Sequence, residues 1–406
     1  MANNNKHTGP NVPALRFPEF SGEWIESKLG DIADFSKGAG ISKDQRSEEG
    51  NPCILYGELY TRYKSEVITN VFSKTALPDS ELVKSKANDI IIPASGETAE
   101  DIATARCVPF DNILLGGDLN IIRLHEQDGK FFSYQLNGVR KYDIATVAQG
   151  VSVVHLHAGD LKCITVKYPS HIAEQEKISQ ILGLIDDRIA TQSKIIEELT
   201  ALRSALHQGI MSTGLEDGSW RMQTLAEVLS ERTELNNEGH AVHSVSVSKG
   251  IVNQIEYLGR SFAAKDTSRY HVAYPGDVIY TKSPTGEFPY GIVKQSQISI
   301  KAALSPLYGV YVPISPEIGY IIHNHFLSSR NALNYLHPLI QKGAKNTINI
   351  TNQRFLKNSM PLPTNKNAAL LYYNAIKTVS DKIILEEMVM EKFQSQKSFL
   401  LKTMFI

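Results

Sequence analysis

The sequence lacks the marks of a membrane-spanning or secreted protein. No apolar run approaches the roughly 18 residues that a spanning helix needs. The polar start MANNNKHTGPNVP has no apolar core of a secretion signal. Cysteine is scarce, because the chain contains only three, Cys53, Cys107 and Cys163, which are far apart. We therefore expect a protein of the reducing cytoplasm whose cysteines are buried small side chains rather than disulfide partners.

Catalytic motifs are missing as well. The chain has no GxxxxGK[ST] loop, so the common phosphate cradle of ATP hydrolysis is not predicted. Gly38-Ala39-Gly40 begins like a dinucleotide fingerprint but lacks the third glycine, which is more typical of a loop. The Asn-Pro-Pro-aromatic loop that grips a flipped base in amino-methylases is absent, since Asn51-Pro52 is followed by Cys53. The sequence thus predicts that this chain is not catalytic by itself.

Two His-x-His pairs are the nearest approach to a metal site. His155 with His157, and His323 with His325, would each share a face if they lay on strands. The repeat argues against a metal at the first pair, because its equivalents in the second copy are Asn349 and Thr351, and His323/His325 has no identifiable third ligand. We favour ordinary core or surface histidines, and no metal ligand is predicted.

The charge is nearly balanced, with a formal net charge of -1. Residues 14–168 carry 17 Lys/Arg against 22 Asp/Glu, a balance of -5, whereas residues 217–363 carry 14 against 10, a balance of +4. The overall charge therefore does not predict nucleic acid as a ligand. A basic surface, if present, must be local or completed by a partner.

An internal repeat is the strongest signal in the sequence. From Val154 onward, adding 194 maps the chain onto itself without a gap, so that Leu161 falls on Phe355 and Pro169 on Pro363. Earlier in each copy the offset drifts, from 196 between Trp24 and Trp220 to 188 between Asp89 and Asp277. Loops tolerate insertions, whereas one inserted residue rotates a helix face by about 100°. The drift therefore predicts two globular copies, each followed by a helix held in register.

Apolar residues spaced alternately four and three apart predict two long helices that pack as a coiled coil. The predicted seam of the helix pair consists of Ile178, Leu182, Ile185, Ile189, Ile196, Leu199 and Leu206 in the first helix and Ile376, Val379, Ile383, Met390, Phe393 and Leu400 in the second. Both copies break the pattern at matching places, Gln192/Glu386 and Arg203/Lys397. These polar residues either fix the register of the two helices against each other, or cover the seam with the aliphatic part of the side chain while the polar end stays in water.

A short linker, Met211 to Ser219, joins the first helix to the second copy. Such a linker favours antiparallel helices related by a pseudo-two-fold axis, because a parallel pair would make the chain travel a whole helix length. The predicted fold is α+β, with two mixed α/β domains in pseudo-two-fold repeat, separated by two long antiparallel coiled-coil helices. The expected division is a disordered tail at 1–12, domains at 13–169 and 213–363, and helices at 170–212 and 364–406.

Polar, basic and aromatic residues in predicted loops are the candidates for ligand contact, because Arg and Lys suit phosphates and guanine edges and Asn suits adenine. In the first copy they are Lys37, Lys43, Arg46, Tyr56, Arg62, Tyr63 and Lys64. In the second copy they are Lys249, Arg260, Lys265, Arg269, Lys282, Lys342, Lys345 and Asn346. For any one of these residues, a solvated surface position is more common than a contact with DNA. The prediction of a DNA-binding surface therefore rests on the group as a whole.

Two kinds of stretch give the chain a family resemblance over essentially its whole length. PALRFPEFSGEW (residues 13–24) resembles the characteristic start of the specificity subunits of type I restriction–modification systems, and SWRMQTLAEV (219–228) is a weaker echo. YPSHIAEQEKISQILGLIDDRI (168–189) resembles that family's first conserved helical region, and 361–383 its divergent second copy. The second copy lacks the pair Glu174-Gln175, which leaves its partner contacts open.

The resemblance implies a division of labour. Each globular copy would be a target-recognition domain that reads one half of a split sequence in double-stranded DNA. The helices would set the spacer and dock two modification (methyltransferase) subunits, joined in the full complex by restriction (endonuclease/translocase) subunits. S-adenosylmethionine, ATP and Mg²⁺ would bind those partners, and this chain would hold no cofactor.

Two other classes of function compete with this interpretation. One is a coiled-coil scaffold or adaptor protein without a DNA role, which a salt-dependent shift of duplex DNA would disfavour. The other is an enzyme with an unrecognised site, although the duplication offers no repeated polar constellation.

Overall fold

The computed structural model describes residues 11–78, 80, 82–150, 152–260, 266–342 and 348–406. It divides into two units, unit 1 with residues 1–194 and 387–406, and unit 2 with residues 195–386. Each unit therefore combines one globular copy with the first part of the helix that follows it and the last part of the other helix. Nearly all of the predicted tail at 1–12 lies outside the described residues.

Unit 1 is built from short strands and helices followed by a long helix. Its elements are β1 Ile25–Lys28, β2 Ala33–Lys37, β3 Arg46–Ser47, β4 Asn51–Ile54, α1 Glu58–Thr61, β5 Ser73–Thr75, β6 Asp89–Pro93, β7 Ser95–Gly96, α2 Ala99–Ile102, β8 Arg106–Val108, β9 Leu114–Leu115, β10 Leu119–Leu124, α3 Gly129–Asn137, α4 Lys141–Val147, β11 Val154–His155, α5 Ala158–Lys162, β12 Thr165–Tyr168 and the start of α6 Ile172–Asp217. A central sheet has the order β2-β10-β6-β8, and β1 pairs with β12.

Unit 2 repeats this plan. Its elements are the end of α6, β13 Trp220–Thr224, β14 Leu229–Glu231, β15 His243–Ser246, β16 Gly250–Asn253, α7 Gln254–Leu258, β17 His271–Ala273, β18 Val278–Tyr280, β19 Val293–Gln295, β20 Ala302–Leu304, β21 Gly309–Pro313, α8 Pro316–His325, α9 Ser329–Leu336, β22 Gln341–Lys342, β23 Ile348–Asn349, α10 Asn352–Phe355, β24 Ser359–Pro363 and the start of α11 Lys366–Thr403. The central sheet is β14-β21-β18-β19, and β13 pairs with β24. The predicted repeat is thus present strand for strand in the two central sheets, and the α+β class is confirmed.

One turn explains why the repeat is visible at Asp89 and Asp277. Asn88 and Gly276 precede these residues with φ of 81° and 88°, a conformation that glycine and asparagine adopt most readily. Each aspartate accepts a hydrogen bond from the backbone N–H three residues earlier, at 2.8 Å in both units. Each also forms a two-pronged ion pair with an arginine, Arg123 or Arg232, at 2.7–3.0 Å. The carboxylate therefore fixes the conformation of the chain at the start of β6 or β18, each an inner strand of its sheet.

The central sheet of each unit separates two apolar cores. In unit 1, Ile90 and Ile122 face a core that includes residues of the long helices α6 and α11, whereas Ile91 and Ile121 face a second core that includes none of them. In unit 2, Val278 and Ile279 divide in the same way between two cores. We call the part of each unit built on the second core the second lobe. It contains β3, β4, β5 and β9 in unit 1, and β15, β16, β17 and β20 in unit 2.

The two long helices run antiparallel where they meet inside each unit. In unit 1, Asp186 of α6 contacts Lys397 of α11, and Arg188 lies over the ring of Phe393. In unit 2, His207 of α6 hydrogen-bonds Tyr372, near the start of α11. The expected linker is shorter than predicted, since α6 runs to Asp217 and leaves only Gly218 and Ser219 before β13. Residues 211–217 continue the helix because none of them is a proline and none forces a turn.

Candidate functional site

Several basic candidates of unit 1 lie on or beside its second lobe. Lys37 ends β2, Lys43 lies in a single turn of 3-10 helix, and Arg46 begins β3, and all three are exposed. The Oγ1 atom of Thr75 on β5 donates a hydrogen bond to the carbonyl of Gln45 at 2.8 Å, which ties this turn to the lobe's sheet. The exposed cations thus stand on a hydrogen-bonded support rather than on a free loop.

Arg62 belongs to a cluster of side chains of which the sequence predicted the arginine but not its partners. Its guanidinium donates to Glu58 Oε1 at 3.1 Å and lies 4.8 Å from the ring centroid of Phe72. The buried Glu58 carboxylate also accepts hydrogen bonds from Ser73 Oγ and the Leu55 backbone N–H. Phe72, which the sequence analysis missed, is 51 % exposed. An exposed aromatic ring under an arginine is a suitable platform for a base or a phosphate.

Three neighbouring candidates differ in their exposure. Tyr63 is only 5 % exposed and its ring belongs to the second core, so it is not available to a ligand, and this prediction is withdrawn. The sequence could not separate a core tyrosine from a surface one in the run Tyr60 to Lys64. Tyr56 is half-buried, and Lys64 is exposed with its ammonium donating to the carbonyl of Thr61.

The candidates of unit 2 are more scattered. Lys249 follows the strand β15 in its hairpin, and its ammonium lies 5.5 Å from the ring centroid of Tyr257. Arg260 and Arg269 are exposed. Beside Lys249 runs an open groove of about 610 Å³, lined by His243, Ile251, Val252, Asn253, Glu256, Tyr257, Gln297, Ile298, Ser299 and Ile300. This groove offers aromatic and polar side chains at the surface of the second lobe.

Lys282 lies apart from that groove, just after β18. Its backbone φ of 60° is unusual for a lysine, and a Cβ on Gly291 would approach the Lys282 backbone to within 2.8 Å. Burial lowers the pKa of Lys282, and Glu231 opposes that shift. Lys342 ends β22, while Lys265, Lys345 and Asn346 lie outside the described residues.

The histidine pairs do not form a metal centre in the described part of the chain, where no group of three potential ligands occurs. His155 ends β11 and His157 precedes α5, with their rings stacked at a centroid distance of 6.4 Å. His323 and His325 lie on α8, so the expectation of a shared strand face is wrong for this pair. Positions two apart on a helix point in different directions. Burial lowers the pKa of both imidazoles to about 3, although His325 is buried and His323 only half-buried by its exposed surface.

The predicted seam residues are all buried or half-buried. Buried members are Ile178, Leu182, Ile185, Ile376, Ile383 and Leu400, and half-buried members are Ile189, Ile196, Leu199, Leu206, Val379, Met390 and Phe393. Ile178, Leu182 and Leu400 pack into the main core of unit 1. These positions therefore attach the helices to the globular units, in addition to any role between the helices.

Glu174 and Gln175, the pair absent from the second copy, face the interior of unit 1. Glu174 is fully buried, and its carboxylate binds Arg16 through two contacts of 2.8 Å and accepts a 3.4 Å hydrogen bond from Trp24 Nε1. Gln175 accepts from the backbone of Asp128 and donates to the carbonyl of Pro169. Glu174 therefore anchors the segment before β1, and Gln175 ties the start of α6 to Asp128 and Pro169.

No helix in the described part of the chain is long and apolar enough to cross a membrane.

Residues 21–201 match the protein family described as "Type I restriction modification DNA specificity domain". No curated protein matches the chain. Among solved structures, the type I restriction-modification system S subunit from M. genitalium is 14% identical, with 97% of this chain and 99% of that chain covered and a TM-score of 0.64. The HsdS subunit from Thermoanaerobacter tengcongensis is 13% identical, with 94% and 96% covered and a TM-score of 0.37.

A further match is a chain from the work entitled "Structural basis underlying complex assembly and conformational transition of the type I R-M system", at 12% identity, 94% and 97% coverage and a TM-score of 0.48. The match to the M. genitalium subunit shows a shared fold along nearly the whole chain. Over residues 21–201 the family match confirms the resemblance to the specificity subunits, and the family it names is a specificity domain rather than a catalytic one, in line with the prediction from the sequence.

Proposed function

We propose that this chain, which carries a type I restriction–modification DNA specificity domain, is the sequence-reading subunit of a cytoplasmic type I restriction–modification complex. Each unit reads one half of a bipartite target in double-stranded DNA. The long helices set the unread spacer and dock two methyltransferase subunits, and restriction subunits complete the assembly. S-adenosylmethionine, ATP and Mg²⁺ bind to those partners.

The observation that carries this proposal is a repeated frame with unlike second lobes. The central sheets follow the same strand order, β2-β10-β6-β8 and β14-β21-β18-β19. The second lobes differ, since unit 1 has one four-stranded sheet where unit 2 has two separate pairs, β15-β16 and β17-β20. Two copies of one frame with different exposed loops suit a protein that positions two readers in the same way while each recognises a different sequence.

The second lobes are also where solvated cations lie beside aromatic rings. Arg62 over Phe72 in unit 1 and Lys249 near Tyr257 in unit 2 are two such pairs among the residues predicted from the sequence. We assign them to phosphate or base contact, because a guanidinium or ammonium over a ring keeps its charge exposed while its direction is restricted.

The test replaces residues 14–168 with the corresponding segment of a relative that reads a different target. The reconstituted complex, with methyltransferase subunits and S-adenosylmethionine, should then methylate a sequence in which one half has changed and the other half has not. Sequencing of methylated sites in a random DNA library measures this. A change in both halves would contradict independent reading, and methylation by the chain without partners would contradict its role as a non-catalytic subunit.

The spacer role has its own test. Inserting seven residues after Ile196 and seven after Met390 keeps the apolar stripe in phase and lengthens each helix by about 10 Å. At roughly 3.4 Å per base pair, the preferred spacer should grow by about three base pairs. Selection from a DNA library with random spacers measures this, and an unchanged preferred spacer would show that the helices do not set the distance.

A further inference from the structure

The two units place matching ionic residues where each central sheet meets the long helices, but only unit 1 supplies the acids. Lys397 of α11 lies between two carboxylates, with its ammonium 2.5 Å from Glu66 and 2.6 Å from Asp186. Asp186 also accepts a 2.7 Å hydrogen bond from the hydroxyl of Tyr134. Arg106 on the edge strand β8 is the second cation of this cluster, because both Glu66 and Asp186 act on its pKa. Two cations and two carboxylates balance in unit 1.

The corresponding residues of unit 2 follow from the repeat and from the strand register. The offset of 194 places Arg203 at Lys397 and Ser380 at Asp186. Arg106 pairs with Ile91 across β6, and Lys294 pairs with Ile279 across β18, so Lys294 stands at the place of Arg106. Tyr320 donates its hydroxyl hydrogen to Ser380 at 2.9 Å, as Tyr134 does to Asp186. The frame of the cluster is thus preserved.

What unit 2 has lost is the negative charge. Lys294 is only 4 % exposed, yet within the described ranges neither it nor Arg203 forms an ion pair or a side-chain hydrogen bond. Burial and the neighbouring charge of Arg203 lower the pKa of Lys294 to about 8, and no carboxylate opposes them. The residues of unit 2 outside the described ranges, 261–265 and 343–347, contain no Asp or Glu. The missing acid is therefore not hidden in those segments.

A buried cation without a counter-ion is costly, because removing its charge from water is not offset by a partner. His323 adds no negative charge, and burial together with Lys294 and Arg203 lowers its pKa to about 3, which keeps the imidazole neutral. Both Arg203 and His323 remain partly exposed, so the cluster is open to solvent on one side.

We propose that Arg203 and Lys294 form an anion-binding site in unit 2, whose ligand is a carboxylate supplied from outside the chain at the place where unit 1 uses its own Asp186 and Glu66. The carboxylate is the favoured anion because the matching cluster of unit 1 accommodates two carboxylates, with Tyr134 at the place that Tyr320 occupies in unit 2. Its source is either a free carboxylate or an acidic side chain of another polypeptide. This site goes beyond the proposed DNA-reading function and does not depend on it.

The chain allows each unit to be observed separately, because its only two tryptophans are Trp24 in unit 1 and Trp220 in unit 2. In the full chain with Trp24→Phe, thermal unfolding followed by Trp220 fluorescence reports on unit 2. Exchanging chloride for acetate at constant ionic strength and pH 7 should raise this midpoint by about 2–4 °C, whereas the unit 1 midpoint, measured in Trp220→Phe, should stay unchanged.

Two variants test the assignment. Ser380→Asp restores the carboxylate of unit 1, so it should raise the unit 2 midpoint in chloride and abolish the acetate effect. Lys294→Met removes the buried charge and should also abolish the acetate effect. An acidic peptide that stabilises more than acetate at equal carboxylate concentration would identify a polypeptide as the source, and equal effects would identify a free carboxylate.

Three results would overturn the proposal. The first is an unchanged unit 2 midpoint in acetate, which would mean that Lys294 stays a neutral amine and binds no anion. An acetate effect that survives Lys294→Met would place the ion elsewhere. Stabilisation by sulfate but not by acetate or the peptide would reject the carboxylate as ligand.

Discussion

Units 1 and 2 share a frame but stabilise it with different polar contacts. Unit 1 fastens the segment before its first strand with the buried Glu174, which binds Arg16 and Trp24. In unit 2 the residue at the same repeat position is Ala368, and Trp220 instead follows α6 after a two-residue turn and packs beside Gly214. Unit 1 thus holds Trp24 through a buried carboxylate, whereas unit 2 holds Trp220 by packing it against α6.

The aspartate at the start of β6 or just before β18 also has different ion-pair partners in the two units. Asp89 and Asp277 are equivalent, but Arg123 reaches its aspartate from β10, whereas Arg232 comes from the end of β14. A buried carboxylate needs a cation beside it, and an arginine on β10 or at the end of β14 can supply the charge. The two units therefore share the ion pair, but the arginine comes from different positions in the repeat.

The largest expected effect is confined to unit 1. Glu174→Ala should lower the free energy of unfolding of unit 1 by about 4 kcal/mol, because it leaves Arg16, whose side chain is 12% exposed, without a carboxylate to balance its charge. Urea unfolding of the Trp220→Phe chain, followed by Trp24 fluorescence, measures it. Glu176→Ala, at an exposed neighbouring position, is the matched control and should change little. Equal losses for the two variants would mean that the anchor contributes nothing.

The next effect separates the units by pH. Burial lowers the pKa of His207 to about 4 and that of His325 to about 3, in both cases from 6.5. The unfolded chain then binds more protons, so the stability of unit 2 is complete above pH 6.5 and falls as the pH drops towards the folded values. At pH 5.5 the loss should be about 1.4 kcal/mol per histidine, or about 4 kcal/mol in all, because burial also lowers the pKa of His323 in unit 2 to about 3.

Urea unfolding followed by Trp220 fluorescence in the Trp24→Phe chain, at pH 7 and pH 5.5, measures this loss. Unit 1 is the internal control, since its described histidines, His125, His155, His157 and His171, are all exposed. If unit 1 lost as much stability as unit 2 over this interval, buried histidines would not be the cause.

A smaller effect tests how α6 meets Trp220. A Cβ at Gly214 would lie 2.1 Å from the Trp220 ring, so Gly214→Ala should force the indole or the helix to move. We expect a loss of about 2 kcal/mol in unit 2, as is usual for overpacking. The measurement is the shift of the unit 2 urea midpoint, and a blue-shifted or red-shifted Trp220 emission should accompany it. An unaltered spectrum and midpoint would contradict the close approach.

The smallest effect has the opposite sign and uses the same helix. A Cβ at Gly209 meets nothing within 4 Å, so Gly209→Ala should stabilise unit 2 by up to about 1 kcal/mol through helix propensity alone. It is also the matched control for Gly214→Ala, because both replace a glycine of α6 by alanine. A destabilising result at Gly209 would show that the position contacts something that the structure does not place there.

The sequence predicted well wherever one physical requirement acts along the chain. An apolar stripe needs a constant helical phase, so the two long helices and the repeat were visible in the spacing of Ile178 to Leu206 and its copy. The turns at Asp89 and Asp277 were visible because a left-handed residue before the strand restricts the choice to asparagine or glycine.

Other outcomes depend on contacts between residues distant in sequence. Tyr63 could not be told from a surface tyrosine, because only packing against the second core buries it. Phe72 beneath Arg62 escaped notice, since the two are ten residues apart and meet only after β5 folds back. His323 and His325 were misplaced on a strand because two alternating residues in a run of apolar ones fit either period.

Length, period and repeat by themselves determined that this protein has two copies of one frame and two long helices, because these features depend on residues a few positions apart. The tertiary structure alone decided which charges are balanced. Lys397 and Arg203 occupy equivalent positions in a helix and look alike in the sequence, but only Lys397 meets carboxylates, Glu66 from a loop and Asp186 from α6. Charge compensation in a protein interior acts over a few ångströms in space, and such neighbours come from parts of the chain that no local pattern connects.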